Sequence, residues 1–473
     1  MSRLSRTSAV DLVAGYASGD ISPVEATRAA LDAIATYDGL VNAFVRADEQ
    51  GALQSAKESE QRWRAGTPLG PADGVPTSIK DIFLTVGWPT LRGTHLIDES
   101  APWVEDAPAV ARLRETGAVL IGKTTTPEFA WKGVTDSERF GATGNPWDPR
   151  LTAGGSSGGS ATAVALGMGT WSIGTDGGGS VRIPAAFTGT VALKPTYGVV
   201  PLWPASPFGT LAHAGPMTRT VRDAAFLLDV ISGYDARDWS AMPMPPRSFQ
   251  DGLDEGVAGL RIAFSATLGF GTNDPEVEAL VRSAVSVLVG AGAEVTEVDP
   301  GFEDPEVAFK VLWFAGAAKV LEQYGESALS RVDPGLRAAA EEGATYSASD
   351  YLDAVAVRMA LGAHMGRFHE DYDLLLTPTM PIPAFPLGCS APDAWPSQLW
   401  TTWTPYTYPF NMTQQPALSV PCGFPTAGLP VGLQVVGPRH SDALVLRAGH
   451  TYEQATDWND RPPTVTGSAE ARP

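Results

Sequence analysis

Three short stretches of this chain place a lysine and two serines where they could do chemistry. Residues 74–81 carry Lys80 behind Val75 and Ile79; residues 153–161 set Ser156 among glycines and serines; residues 174–185 do the same for Ser180, 24 residues further on. A serine hydroxyl is a poor nucleophile until a neighbouring base takes its proton. Lysine can be that base only when neutral, and burial favours the neutral amine by penalising the ammonium. Lys80 ends a run that reads as a strand, so an interior strand would bury it. The plain alternative is an ion pair with the adjacent Asp81.

Two other patterns compete for attention. Gly117 to Thr124 matches the G-x-x-x-x-G-K-[ST] phosphate loop, but its four middle residues are Ala118, Val119, Leu120 and Ile121. A phosphate cradle needs a loose backbone after a strand, whereas these residues are the strand. Gly154-Gly155-Ser156-Ser157-Gly158 matches the G-x-S-x-G nucleophile elbow, which needs a strand before it and a downstream acid and histidine. Pro146 and Pro149 stand where that strand should be, and none of His213, His364, His369, His440 and His450 has a context that marks a triad base. His364 and His369 are five apart, which does not put two metal ligands on one helix face.

The elements that must position these residues follow from periodicity and caps. Ser22-Pro23-Val24-Glu25 is a capping box with proline at the first helical position, and the first 70 residues read as helices. Strands are expected at 74–80, 118–121, 260–264, 294–298, 373–377, 417–421 and 432–437, and helices at 107–115, 275–289 and 442–454. Between 141 and 217, glycine, serine and threonine crowd together, yet apolar runs at 161–166 and 191–193 argue for tight loops between buried elements. The alternation predicts an α/β fold with a central mixed β-sheet flanked by helices. It predicts a single domain over 1–473, with a helical cap at about 300–372.

Composition narrows the function classes. A formal charge of −20 would repel phosphates, so no nucleic-acid partner is expected. The N-terminal segment is broken by Asp11, Gly15 and Ser18 and does not read as a secretory signal, and no apolar run is long enough for a membrane helix. Cys389 and Cys422 form no framework and are expected as free thiols, which suits a cytoplasmic location.

The segments around Lys80, Ser156 and Ser180, joined by 144–148, 213–219, 409–413, 416–421 and 428–434, together resemble the amidase signature family over about residues 20–455. The resemblance implies a hydrolase cleaving carbonyl–nitrogen bonds through an acyl- or carbamoyl-enzyme, with no metal or organic cofactor. It makes Ser180 the nucleophile, and Ser156, on a cis peptide, the relay to Lys80. Backbone amides of Gly177, Gly178, Gly179 and Ser180 would receive the oxyanion. Asp176 and Arg182 read as braces of that loop. By the same resemblance Ala130 and Trp131, and Trp400 and Trp403 in the aromatic stretch 394–410, border the substrate channel. Two departures stand out. Gly177 occupies a position usually aliphatic or Thr, which should loosen the loop and widen the space beside it, and Gln414 replaces a common glycine.

Trp131, Trp395, Trp400, Trp403, Tyr406 and Phe410 together favour a small-molecule anilide or aryl carbamate substrate. A monomer or homodimer is expected. The rival within the family is the glutaminase subunit of a transamidating complex, disfavoured because 394–410 has no acidic residue for glutamine's ammonium. The rival outside it is a silent binding module, against which the intact Lys80, Ser156 and Ser180 argue.

Overall fold

Ser22 caps the first long helix, Pro23–Val41, as its sequence dictates: its side chain accepts from the Glu25 amide, and Glu25 answers with a bond to the Ser22 amide. The computed structural model describes residues 2–457 and 461–465. The strands along it are β1 (Phe44–Ala47), β2 (Pro76–Lys80), β3 (Val119–Thr124), β4 (Asp136–Ser137), β5 (Gly141–Ala142), β6 (Trp171–Asp176) and β7 (Val191–Lys194). They continue with β8 (His213–Thr218), β9 (Arg261–Phe264), β10 (Glu294–Glu297), β11 (Leu374–Pro378), β12 (Ala417–Gly423) and β13 (Val431–Val436).

All but the β4–β5 hairpin join one 11-stranded sheet in the order β1-β3-β2-β6-β8-β7-β12-β13-β11-β9-β10. It is mixed: β3, β2 and β6 run parallel, as do β11, β9 and β10, while the pairs from β6 through β8, β7, β12 and β13 to β11 are antiparallel. Alternation along the strands divides the apolar residues between two faces. Leu374 and Leu376 of β11 enter one core and Leu375 the other; Val435 and Val436 of β13 split the same way.

Helices Pro108–Glu115, Val221–Ile231, Pro275–Gly290 and Asp442–Gln454 cover the first face through Leu113, Leu228, Val281 and Leu446. Helices Arg182–Thr188 and Glu306–Glu322 contribute Phe187, Leu312 and Trp313 to the second core. The fold is therefore the α/β class with a mixed central sheet between helices. Among the described residues the stretch 300–372 holds three α-helices, Glu306–Glu322, Pro334–Gly343 and Ala348–Asp371, and the short 3-10 helix Glu326–Arg331; the first α-helix reaches the site.

Two differences from the sequence reading concern strands. β1 lies inside the first 70 residues, where only helices are expected; Phe44–Ala47 is too short for its own periodicity to show and exists because β3 offers an edge. β6 and β8 lie in the glycine-rich stretch, where Gly174 and Gly215 face each other across the ladder. Gln414, at the position where the resemblance implies a glycine, takes the left-handed conformation itself, with φ 63.

Candidate active site

β2 and β6 are parallel neighbours, with Ser78 opposite Ser172 and Ile79 opposite Ile173, so Lys80 and Asp176 finish their strands at the same end of the sheet. Carboxyl ends of parallel strands are where α/β folds gather functional groups. Ser156 arrives there on the turn before helix Gly158–Ala165, and its peptide bond with Gly155 is cis. Thr135 clamps that turn, donating to the Gly154 carbonyl at 2.8 Å and accepting the Gly158 amide at 2.9 Å. The Ser157 amide donates to the Ser180 carbonyl at 3.1 Å, tying the two serine loops together.

Lys80 is fully buried, and among the described residues its Nζ hydrogen-bonds only to hydroxyls: Ser156 Oγ at 2.7 Å, Ser157 Oγ at 2.9 Å and Thr175 Oγ1 at 2.8 Å. Burial pushes its pKa well below the ordinary lysine value, and the opposing pull of the Asp176 charge does not restore it. The ion pair with Asp81 does not form. Asp81 is taken by Lys123 at 3.2 Å and by the amides of Leu91 and Arg92. Lys123, the lysine of the phosphate-loop pattern, lies in β3 and also donates to the Phe83 carbonyl and Thr90, so that pattern is a strand with a structural ion pair.

Ser180 sits before helix Arg182–Thr188 and, among the described residues, makes no side-chain hydrogen bond. It opens with Ser156, Thr175 and Gly177 into a cavity of about 610 Å³. The loop between Asp176 and Ser180 is held from below. Asp176 accepts the amides of Gly179 at 2.8 Å and Val181 at 3.2 Å, and receives Arg182 in a two-pronged pair at 2.9 and 3.0 Å. Arg182 in turn grips Asn411, Gln434 and the Thr407 carbonyl. Burial alone would raise the Asp176 pKa; Arg182, Asn411 and Lys194 outweigh it and hold the carboxylate well below its usual range.

This geometry alters the expected oxyanion set. The Gly179 amide is committed to Asp176, whereas the amides of Gly177, Gly178 and Ser180 have no partner among the described residues, and of these Gly177 and Ser180 line the cavity. Gly179 has φ 129, and a Cβ there would meet Thr407 Oγ1 at 2.6 Å, so only glycine fits. A Cβ on Gly177 would meet the Trp313 ring at 2.7 Å. The glycine at this position therefore does not widen the site; Trp313 fills the space it leaves.

The substrate-facing aromatics also differ from expectation. Ala130 lines the cavity, but Trp131, Trp400 and Trp403 are buried and do not. Trp400 backs Gly178, Trp403 stacks on Phe187, and the Trp131 carbonyl accepts the Trp313 indole N–H at 2.9 Å. Large rings beside a loop of bare glycines pack against it from behind. The cavity's aromatic wall is instead Phe83, Phe129, Trp203, Phe208 and Trp313, with Phe208 stacked on Trp313 at 3.9 Å. Phe83 was legible from its place three residues after Lys80, and residues 203–208 are as proline-punctuated as 394–410. Trp313 carries no local signal.

His213 does not line the cavity. It is buried, its Nδ1 bonds the Leu211 carbonyl at 2.8 Å, and burial reinforced by Lys194 holds its pKa well below the ordinary histidine value. Among the described residues, no group of His, Cys, Asp and Glu could hold a metal ion, and no helix is long and apolar enough to cross a membrane.

The geometry thus joins a buried lysine to Ser156, which lines the same largely apolar cavity as Ser180. The amidase family profile matches residues 25–446. The chain is 39% identical to the A-type subunit of the glutamyl-tRNA(Gln) amidotransferase of Myxococcus xanthus, covering 95% of this chain and 97% of the relative. It is 37% identical to an acylamidase of Rhodococcus erythropolis, over 96% and 97%. A solved bacterial aryl acylamidase of the amidase signature enzymes superposes with a TM-score of 0.90 at 31% identity, over 97% of this chain and 98% of that one. The chain belongs to the amidase signature family, whose members act on amide C–N bonds.

Proposed function

We propose that this protein hydrolyses amides by a Ser-Ser-Lys mechanism, with anilides and aryl carbamates as its preferred class. The observation that carries this reading is the set of contacts at Lys80 Nζ: three hydroxyls, no carboxylate, and no exposure. Burial shifts an amine so placed toward its neutral form, which can accept a proton. Ser180 Oγ attacks the carbonyl carbon while its proton passes through Ser156 to Lys80. The amides of Gly177 and Ser180 face the oxygen as it gains charge, where each well-aimed donor is worth roughly 3 kcal/mol. Collapse breaks the C–N bond, and the proton on Lys80 returns through Ser156 to the leaving nitrogen. Water then enters by the same route in reverse and releases the acid; with an aryl carbamate the bond that breaks is the C–O bond to the phenol, which takes the proton, and water releases carbamic acid from the carbamoyl-enzyme.

The wall of Phe83, Phe129, Trp203, Phe208 and Trp313 supports aromatic substrates, at about 0.5–1.5 kcal/mol per well-placed ring pair beyond burial. The test is a panel of 4-nitroanilides, aryl carbamates, acetamide and glutamine followed by product mass, with a fluorophosphonate probe to identify the labelled residue. The expected order is anilide and aryl carbamate first, with the label on Ser180. Glutamine or acetamide turned over as efficiently as a nitroanilide would sink the aryl preference.

Identity to the amidotransferase chain favours a second reading, ammonia release from glutamine. That ligand needs a carboxylate for its ammonium. Among the described residues, the single carboxylate in the cavity lining, Glu322, is paired with Lys319 and largely exposed. The glutamine arm of the panel decides between them.

A further inference from the structure

Among the described residues, only three charged side chains line the cavity in front of Ser180: Arg92, Lys319 and Glu322. The last two pair with each other at the outer rim, one helical turn apart. Arg92 is different. Its backbone has φ 52, a conformation that residues other than glycine, asparagine and aspartate seldom adopt. Its amide donates to Asp81 Oδ2 at 2.9 Å, and its carbonyl accepts the Phe129 amide at 2.8 Å. The next residue, Gly93, has no room for a Cβ, which would lie 2.7 Å from the Thr126 carbonyl. The backbone is thus pinned between the Asp81 carboxylate and Phe129, and the left-handed turn delivers a guanidinium to the cavity wall.

That guanidinium is half-buried and, among the described residues, forms no ion pair or side-chain hydrogen bond. The carboxylate that interacts with it electrostatically, Asp81, is already engaged by Lys123 and by two backbone amides. Its other electrostatic neighbour is the Tyr324 phenol. A buried charge is ordinarily paired, and arginine's planar fork matches a carboxylate in two parallel hydrogen bonds. On a chain of net charge −20, an anionic group is repelled from most of the surface, which makes one unpaired cation inside the cavity the place where it is held.

We propose that Arg92 is a specificity-determining residue that receives a carboxylate on the non-reacting part of the substrate. The substrate class is then an amide or carbamate that also bears an acid group, such as the half-amide of a dicarboxylic acid or an anilide with a ring carboxylate. This assignment rests on the amidase reading, since it takes the cavity as the substrate site.

The test measures binding without turnover, in the full-length Ser180→Ala protein. The probes are N-(4-nitrophenyl)succinamate, N-(4-nitrophenyl)glutaramate and 4-acetamidobenzoate. Each is compared by calorimetry with the near-isosteric neutral ligand in which the carboxylate is a primary amide. At least one acid should bind about tenfold tighter than its neutral partner, because a site built for a charged group rejects the analogue lacking it. Arg92→Met and Arg92→Gln should bring that ratio close to one, and Arg92→Lys should keep part of it. A ratio near one for all three pairs with Arg92 present overturns the proposal. So does a preference that survives in whichever neutral variant melts as a folded protein. The amidase reading fails on a different result, namely no hydrolysis of any neutral amide by the unaltered enzyme together with no fluorophosphonate label on Ser180.

Discussion

Lys80 and Lys123 sit on adjacent parallel strands, one register step apart: Lys80 lies opposite Thr124, and Lys123 opposite Ile79. Both are fully buried. Lys123 meets the Asp81 carboxylate, a carbonyl and a hydroxyl, while Lys80 meets hydroxyls alone. Burial lowers both pKa values, but Asp81 opposes it directly at Lys123, and at Lys80 only the more remote Asp176 does. Burial by itself does not make a base. The nearest counter-charge decides whether a buried lysine is half of an ion pair or a free amine.

The sharpest way to break this comparison is to remove each amine in turn. Lys80→Met should lower kcat/KM on a nitroanilide by about 10⁴-fold or more, with a melting temperature close to that of the unaltered protein, because no charge is left behind. Lys123→Met should do the reverse. It strands Asp81 as an unpaired buried carboxylate, at a cost of about 3–5 kcal/mol in urea unfolding, while the folded fraction keeps activity within about tenfold. Equal loss of activity from both changes, per mole of folded protein, would show that the two lysines share one role.

If the ion-pair account of Lys123 is right, its cost is repairable. Asp81→Asn added to Lys123→Met removes the stranded charge and keeps an oxygen for the amides of Leu91 and Arg92. The double variant should recover at least about 1–2 kcal/mol over Lys123→Met alone. No such repair restores activity to Lys80→Met.

The pH dependence separates the two lysines further. Because the folded pKa of Lys80 lies well below the ordinary lysine value, the neutral base is already present below about pH 10.4, and kcat/KM should climb with pH and level off before that value is reached. In the window between the folded and ordinary values the unfolded chain binds the extra proton, so this group's contribution to stability grows as pH rises and is lost as pH falls. Lys80→Met should therefore flatten part of the rise of unfolding free energy with pH, measured against the unaltered protein.

Smaller effects sharpen the picture of what holds the amine. Ser157→Ala removes one of three hydroxyl contacts at Nζ and should cost about tenfold in kcat with little change in KM. His213→Ala should cost least, within a fewfold, since the ring faces carbonyls behind Asp176 and does not line the cavity. A loss from His213→Ala as large as that from Lys80→Met, in a protein that still melts cooperatively, would transfer the base to the histidine.

Local chemistry made much of this molecule legible in one dimension. The capping box at Ser22–Glu25, the buried runs of β3 and β12, and the helix Asp442–Gln454 follow from side-chain periodicity and from which groups can satisfy a helix end. The glycine and serine stretches around Ser156 and Ser180, with Lys80 on a strand, were readable because each is a run of unusual residues close together in the chain. Other features depend on partners far apart in sequence. β1 is a strand only because β3 lies beside it, and Asp81 pairs with Lys123, 42 positions away, instead of its neighbour Lys80. Successive residues of a strand point to opposite faces, so adjacency in sequence placed those two charges apart. The same reason governs the aromatic residues. Their abundance in 394–410 suggested a substrate-channel wall, but the packed structure puts Trp400 and Trp403 behind the glycine loop while Phe208 and Trp313 face the cavity. Which side of a loop a ring occupies is set by the volume left by elements a hundred residues away, and no local pattern encodes that volume.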